Sequence, residues 1–109
     1  MKLGFIGTGK IASSVITGIS KSSIKFDKIY ISLRNKKISN NLKRKYKKIV
    51  IENKNQQIIN KSNWVFLAVT PTVGERIIKD LKFRSNQIII SFISTITIPR
   101  LKKMVKVKA

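Results

Sequence analysis

The chain of 109 residues carries 24 lysines and arginines against four acids, with no cysteine and no histidine, and a formal charge of +20 at pH 7. With only Asp27, Glu52, Glu75 and Asp80 as acids, the inventory excludes disulfides, thiolate metal sites and a Ser-His-Asp triad, and argues against a paired-carboxylate hydrolase. Chemistry on this chain must therefore come from a cofactor or from another chain.

The length and an apolar fraction of 42% suit one globular domain. No run of about 20 uncharged apolar residues offers a membrane span. The first residues lack the long apolar region and small-residue cleavage site of a signal peptide, so the expected compartment is the cytoplasm. Lysine far outnumbers arginine, and isoleucine and asparagine are plentiful, as AT-rich coding produces. The positive charge therefore reads as a solvated basic surface, and nucleic acid is not the favoured partner.

In chain order, Lys2–Gly7 is a nearly continuous apolar run ending in glycine, which suits a strand covered on both faces. A helix is predicted from Lys10 to about Ser20, with Ile11, Val15, Ile16 and Ile19 at near-helical spacing. Lys28–Ser32 is the second strand. From Lys36 to Lys47, Ile38, Leu42 and Tyr46 recur every four residues along a strongly basic amphipathic helix. That spacing puts Tyr46 on the buried stripe, so the run Lys43–Lys48 reads as a solvated face with an inward tyrosine. Lys48–Ile51 is a short third strand, and Asn55–Lys61 a weak helix.

Asn63–Val69 is a clear fourth strand, stopped by Pro71. Thr72 and Glu75 form a potential capping box for a helix whose buried face is Ile77, Ile78 and Leu81. After the turn-like Arg84–Asn86 comes a fifth strand, Gln87–Ile93, and Pro99 opens a last segment containing Leu101, Met104 and Val105. Strands alternating with helices predict an α/β fold of Rossmann type: a doubly wound parallel sheet of about five strands in a three-layer αβα sandwich.

The first strand runs into Gly7-Thr8-Gly9-Lys10-Ile11-Ala12, a G-x-G-x-x-A pattern opening a helix. Gly7 permits the tight turn, Gly9 lets the backbone approach a pyrophosphate, and Ala12 keeps the helix near the sheet. Free N–H groups at the helix start then hold the phosphates. At the end of the second strand, an NAD-specific site would place an acid to accept from the ribose 2′-hydroxyl. Here stand Ser32-Leu33-Arg34-Asn35. Arg34 can bond a 2′-phosphate through a charge-assisted fork, with Ser32 and Asn35 donating beside it, so the expected cofactor is NADP(H). Ligands in such folds lie outside the carboxyl ends of the strands. The loop Ala68, Val69, Thr70, Pro71 is thus expected beside the cofactor, and Ser94 with Thr95 near its nicotinamide end.

These segments resemble the pyrroline-5-carboxylate reductase family. The resemblance is carried by Lys2–Ala12, Ser32–Asn35, Val65–Pro71, and Ile90–Phe92 through Thr97-Ile98 with Leu101, in the family's order. It implies NADPH-dependent reduction of a cyclic imine to proline. It also implies that Gly7, Thr8, Gly9, Lys10, Ile11 and Ala12 cradle the pyrophosphate. Ser32, Arg34 and Asn35 would meet the 2′-phosphate, and Ala68, Val69 and Pro71 would line the cofactor.

Thr70 stands where that family usually has lysine, and Ser94-Thr95 where it has a small Ala-Gly pair. Family members also continue into a helical domain that dimerises and shapes the substrate pocket. Residues 1–109 are therefore expected to be the NADP-binding domain alone, binding cofactor without appreciable turnover and with no catalytic residue or metal site of its own. Other NADP-dependent reductases sharing this domain, of the deazaflavin-dependent or 3-hydroxyacid types, and non-catalytic cofactor- or nucleic-acid-binding modules remain alternatives.

Overall fold

The computed structural model describes residues 1–7, 9–32, 35–92 and 106–108. The elements run β1 (Lys2–Ile6), α1 (Lys10–Lys21), β2 (Lys28–Ser32), α2 (Lys36–Lys45), β3 (Ile49–Glu52), α3 (Asn55–Lys61), β4 (Trp64–Leu67), α4 (Pro71–Ile78), β5 (Lys82–Arg84), β6 (Ile88–Ser91) and β7 (Lys106–Lys108). Five strands form one parallel sheet in the order β3-β2-β1-β4-β6. The chain steps outward from the central β1 to β3, then returns through α3 to β4 on the other side of β1. That reversal is the switch point of a doubly wound sheet, and the expected α/β architecture is the observed one.

Both faces of the sheet are covered, and residue alternation along each strand decides which layer a side chain joins. Leu3 and Phe5 of β1, Ile29 and Ile31 of β2, and Phe66 of β4 pack with Ala12, Ile16 and Leu42 of α1 and α2. Ile6, Tyr30, Val65 and Leu67 point the other way, onto Ile58 and Ile59 of α3 and Ile78 after Pro71 in α4. Continuous apolar strands are what such two-sided burial demands. Phe5 and Phe66, partners across β1 and β4, stack with centroids 4.5 Å apart. Tyr46 packs against the α1–α2 layer, as its spacing predicts. On the opposite face α3 lies so close to β1 that a Cβ on Gly4 would stand 2.1 Å from Ser62 Oγ.

Two features depart from the sequence reading. The start of α4 is capped by Thr70, whose Oγ1 accepts from Val73 N at 3.4 Å, with Pro71 as the first helical residue. Thr72 is therefore inside the helix and does not cap it. Proline at the first helical position donates no N–H and already has a helical φ, so the helix begins two residues earlier than a Thr72–Glu75 box requires.

The second departure is β5, a strand of three residues that pairs in parallel with β7 outside the main sheet. Lys-Phe-Arg is too short to show periodicity, yet Phe83 is fully buried. Gln56 acts as its strand-like neighbour: Lys82 N donates to Gln56 Oε1 and Gln56 Nε2 donates to Lys82 O, each at 2.9 Å.

The weak α3 gains its stability from outside itself. Arg84 donates to the carbonyls of Asn60 (2.7 Å) and Ser62 (2.9 Å), and Gln87 Nε2 donates to those of Ile59 (2.7 Å) and Ser62 (2.8 Å). A guanidinium at a helix C-terminus also opposes the negative end of the dipole. Replacing Arg84 by alanine removes two hydrogen bonds to the end of α3. Urea unfolding should show a loss of about 1–2 kcal/mol, with nucleotide affinity unchanged because Arg84 lies away from the cleft described next.

Candidate functional site

At the carboxyl end of the sheet, between β1 and β4, the structure opens a cleft of about 590 Å³ lined by Gly7, Gly9, Asn35, Lys36, Ala68, Val69, Thr70 and Val73. Its floor is a close backbone crossing. Ala68 N donates to Ile6 O at 2.9 Å, bringing the end of β4 against the turn that leaves β1. Gly7 takes φ +98°, and a Cβ on it would lie 2.4 Å from Ala68 O and 2.7 Å from Val69 Cγ1. Only glycine meets both demands.

Gly9 plays a different part. Its φ of −107° is open to any residue, and nothing lies within 4 Å of where its Cβ would stand. That open space belongs to the cleft. The missing side chain thus matters for what enters the cleft, and the protein does not need it for packing.

Three helices begin at or beside this cleft, and they differ at their starts. Asn35 caps α2, its Oδ1 accepting from Ile38 N at 3.2 Å. Thr70 caps α4. Gly9 sits at the N-cap of α1 with no side chain to offer, and the first helical bond runs from Ser13 N to Gly9 O at 2.9 Å. The N–H groups of the opening turn of α1 therefore meet no cap from that position, beside open space and at the positive end of a helix of 12 residues. An anion is the natural partner for such a turn. The donor set, the open space over Gly9 and the lack of any acid among the described lining residues fit the phosphates of a dinucleotide.

Of the residues expected to meet a cofactor, Gly7, Gly9, Asn35, Ala68 and Val69 line this one cleft. Lys10 and Ile11 open α1 as exposed residues, whereas Ala12 is fully buried beneath the helix. Ser32 is buried at the end of β2, where its carbonyl accepts from Ser39 Oγ at 2.5 Å. Pro71 begins α4. Thr8, Arg34, Ser94 and Thr95, and the segment opened by Pro99, lie outside the described residues.

Thr70, from the loop expected beside the cofactor, lines the cleft as well, and Lys36 and Val73 join the lining without having been singled out as cofactor residues. Thr70 had a visible signal, since it directly precedes a proline that starts a helix. Lys36 had one as well: α2 opens with two cations and no acid in its first turn, which is electrostatically unfavourable for an isolated helix.

Among the described residues, the two groups with perturbed acidity lie elsewhere. Asp27 is held below the usual carboxylate range by its hydrogen bond to the Met1 ammonium and by that group's charge. The Lys61 ammonium is raised by its hydrogen bond to Glu52 at 2.6 Å. No group of three or more metal-ligating side chains occurs among the described residues. The cleft thus holds a binding surface, with no proton-transfer pair in it among those residues.

A parallel sheet with its switch point at β1 and β4, and a glycine cradle opening α1 there, defines a Rossmann-type dinucleotide-binding domain. Residues 2–95 match the family described as NADP oxidoreductase, coenzyme F420-dependent, and the chain belongs to that family. It is 32% identical over 108 residues to pyrroline-5-carboxylate reductase 3 of Danio rerio, a match covering 95% of this chain and 36% of that protein. It also superimposes on 1-pyrroline-5-carboxylate reductase of Streptococcus pyogenes with a TM-score of 0.80 at 31% identity, over 97% of this chain and 39% of that one. The chain therefore spans less than half the length of the reductases it resembles. No helix among the described residues is long and apolar enough to cross a membrane.

Proposed function

We propose that the chain binds NADP(H) in the cleft between β1 and β4, as the dinucleotide-binding domain of a pyrroline-5-carboxylate-reductase-like oxidoreductase. The observation that carries this reading is the pairing of two unlike glycines. Gly7 is locked against Ala68, while Gly9 faces open space at the uncapped start of α1. The backbone from Gly7 to Ala12 holds the pyrophosphate. Ser32, Arg34 and Asn35 take the ribose 2′-phosphate, Ala68, Val69 and Pro71 line the cofactor, and Ser94 stands toward its nicotinamide. When bound, the nicotinamide supplies the hydride.

The reaction in this reading is reduction of the cyclic imine pyrroline-5-carboxylate to proline, in the cytoplasm. Holding the imine against the nicotinamide needs a pocket, because proximity is a large share of such catalysis. In the reductases similar to this chain, the length it does not span is where that pocket would lie. These 109 residues are accordingly expected to bind cofactor without appreciable turnover by themselves.

Calorimetric titration with NADPH and, in parallel, NADH at near-physiological salt tests the proposal. NADPH should bind at least about tenfold more tightly, the discrimination expected of one charge-assisted phosphate contact. Binding of neither nucleotide would remove the cofactor assignment. The family description favours a second reading of the hydride's partner, a deazaflavin of the coenzyme F420 type. Assays of the NADPH-binding protein, together with the remainder of a full-length relative, using pyrroline-5-carboxylate and coenzyme F420 as rival partners separate the two.

A further inference from the structure

We infer that the end of the sheet opposite the cleft docks on an anionic lipid bilayer, with Ile24 of the α1–β2 loop set among lysine ammonium groups. Parallel strands all begin at one end, so the fold gathers there what opens or precedes each of them. Lys2 opens β1 and is the register partner of Lys28, which opens β2. Lys48 lies beside them, its carbonyl accepting from Ile29 N at 3.0 Å, and Lys47 precedes it. Lys21 ends α1, and Lys25 stands in the loop that follows. All six are exposed.

A coding bias toward lysine raises the number of lysines without choosing where the fold sets them. Lys21 has a structural task, since a cation in the last turn of α1 answers the helix dipole. Lys48 has another, donating to Phe26 O at 2.9 Å. Lys2, Lys25, Lys28 and Lys47 form no ion pair among the described residues. Asp27, the acid of the loop, is already held by the Met1 ammonium, and Lys2 and Lys48 are near enough to act on its carboxylate as well.

The loop itself is tied down. Ser22 Oγ donates to Ile19 O at 2.7 Å and accepts from Ile24 N at 3.1 Å, and Asp27 N donates to Met1 O at 2.8 Å. These bonds order the segment yet leave Ile24 52% and Met1 41% exposed. Aliphatic side chains between cations match a bilayer surface, where the headgroups take the charge and the acyl boundary takes the apolar groups. A nucleic acid is the poorer match. Phe26, the aromatic of the loop, packs against the α1–α2 layer, and Lys48 stands 4.8 Å over its ring, so it offers no free platform for a base. Seated on a bilayer by this end, the domain keeps its cleft, at the carboxyl end of the sheet, turned to solution. The inference stands independently of which cofactor the cleft takes.

The test is co-sedimentation of the purified chain with vesicles of phosphatidylcholine alone or with about one-third phosphatidylserine, in about 0.1 M salt. Wild type should partition onto the phosphatidylserine vesicles at least about tenfold more strongly. Lys25→Glu with Lys47→Glu should weaken that partition about 30-fold or more. Ile24→Ser, which changes no charge, should weaken it about 5- to 10-fold. Lys37→Glu with Lys54→Glu makes the same change in net charge on exposed residues before α2 and α3, at the far end, and should stay within about threefold of wild type.

Equal binding to both kinds of vesicle, or to neither, overturns the inference. So does an equal loss in the Lys37 and Lys54 pair, which would mark diffuse charge. An Ile24→Ser protein that partitions like wild type overturns the bilayer as partner. Tighter binding of single-stranded DNA than of vesicles, lost on reversing Lys25 and Lys47 and kept in Ile24→Ser, would give the surface to nucleic acid instead.

Discussion

Gly7→Val is expected to destabilise the fold by about 3 kcal/mol or more, read as a fall in the urea midpoint, and to abolish nucleotide binding along with it. Two separate costs add at this position. Any side chain must be carried at φ +98°, where L-residues are strained. Its Cβ must also displace Ala68 O, which lies 2.4 Å from the position it would take. The obstacle is backbone at the end of β4, so no rotamer change relieves it. Moving it would pull Ala68 N from Ile6 O, the bond that joins the two central strands just beyond their paired residues. Gly7→Ala should behave nearly as badly, since both costs begin at Cβ. A wild-type midpoint for the alanine variant would refute the close crossing.

Gly9→Val should give the opposite pattern. Its φ of −107° and ψ of −162° lie in extended space that a β-branched residue favours. Nothing stands within 4 Å of the added carbon. Stability should therefore stay within about 0.5 kcal/mol of wild type, as for a substitution that touches nothing. Dinucleotide affinity should fall about 100-fold or more, because the side chain would fill the approach to the start of α1. Calorimetry beside a melt reads both quantities from one preparation. Retained binding would separate the cleft over Gly9 from the cofactor.

The two glycines show what can be read from the sequence and what cannot. G-x-G-x-x-A after an apolar strand marks both positions for the same motif, and the motif assigns their duties in general terms. Which carbon would strike the protein and which would strike only a ligand depends on where β4 comes to rest, some 60 residues away in the chain by the register Leu3↔Trp64.

The sheet was legible for a related reason. Two-sided burial writes long apolar runs into β1, β2 and β4, and those runs are visible without knowing their neighbours. Helix α3 was harder, because its C-terminal carbonyls are satisfied by Arg84 and Gln87 from a later segment. The strand β5 was missed because its three residues, Lys-Phe-Arg, are too short to show periodicity. The cap of α4 was misplaced by two residues, since a threonine before a helical proline and a threonine followed three later by glutamate present competing signals. Lys36 was passed over among so many lysines, with Lys37 beside it in the same turn of α2.

The order of the strands also sets a timetable for the making of the molecule. Of the strands in the sheet β1 leaves the ribosome first, yet it ends at the centre with β2 and β4 on its flanks. Its Leu-Gly-Phe-Ile segment can close one edge when β2 arrives and must leave the other bare until β4 has been made. Loop-closure entropy makes that second pairing the slower one. During synthesis, the nascent chain therefore carries an apolar strand edge with no partner of its own. The chain made before β4 is rich in lysine and poor in acids, and that like charge discourages two unfinished chains from pairing through the bare edge.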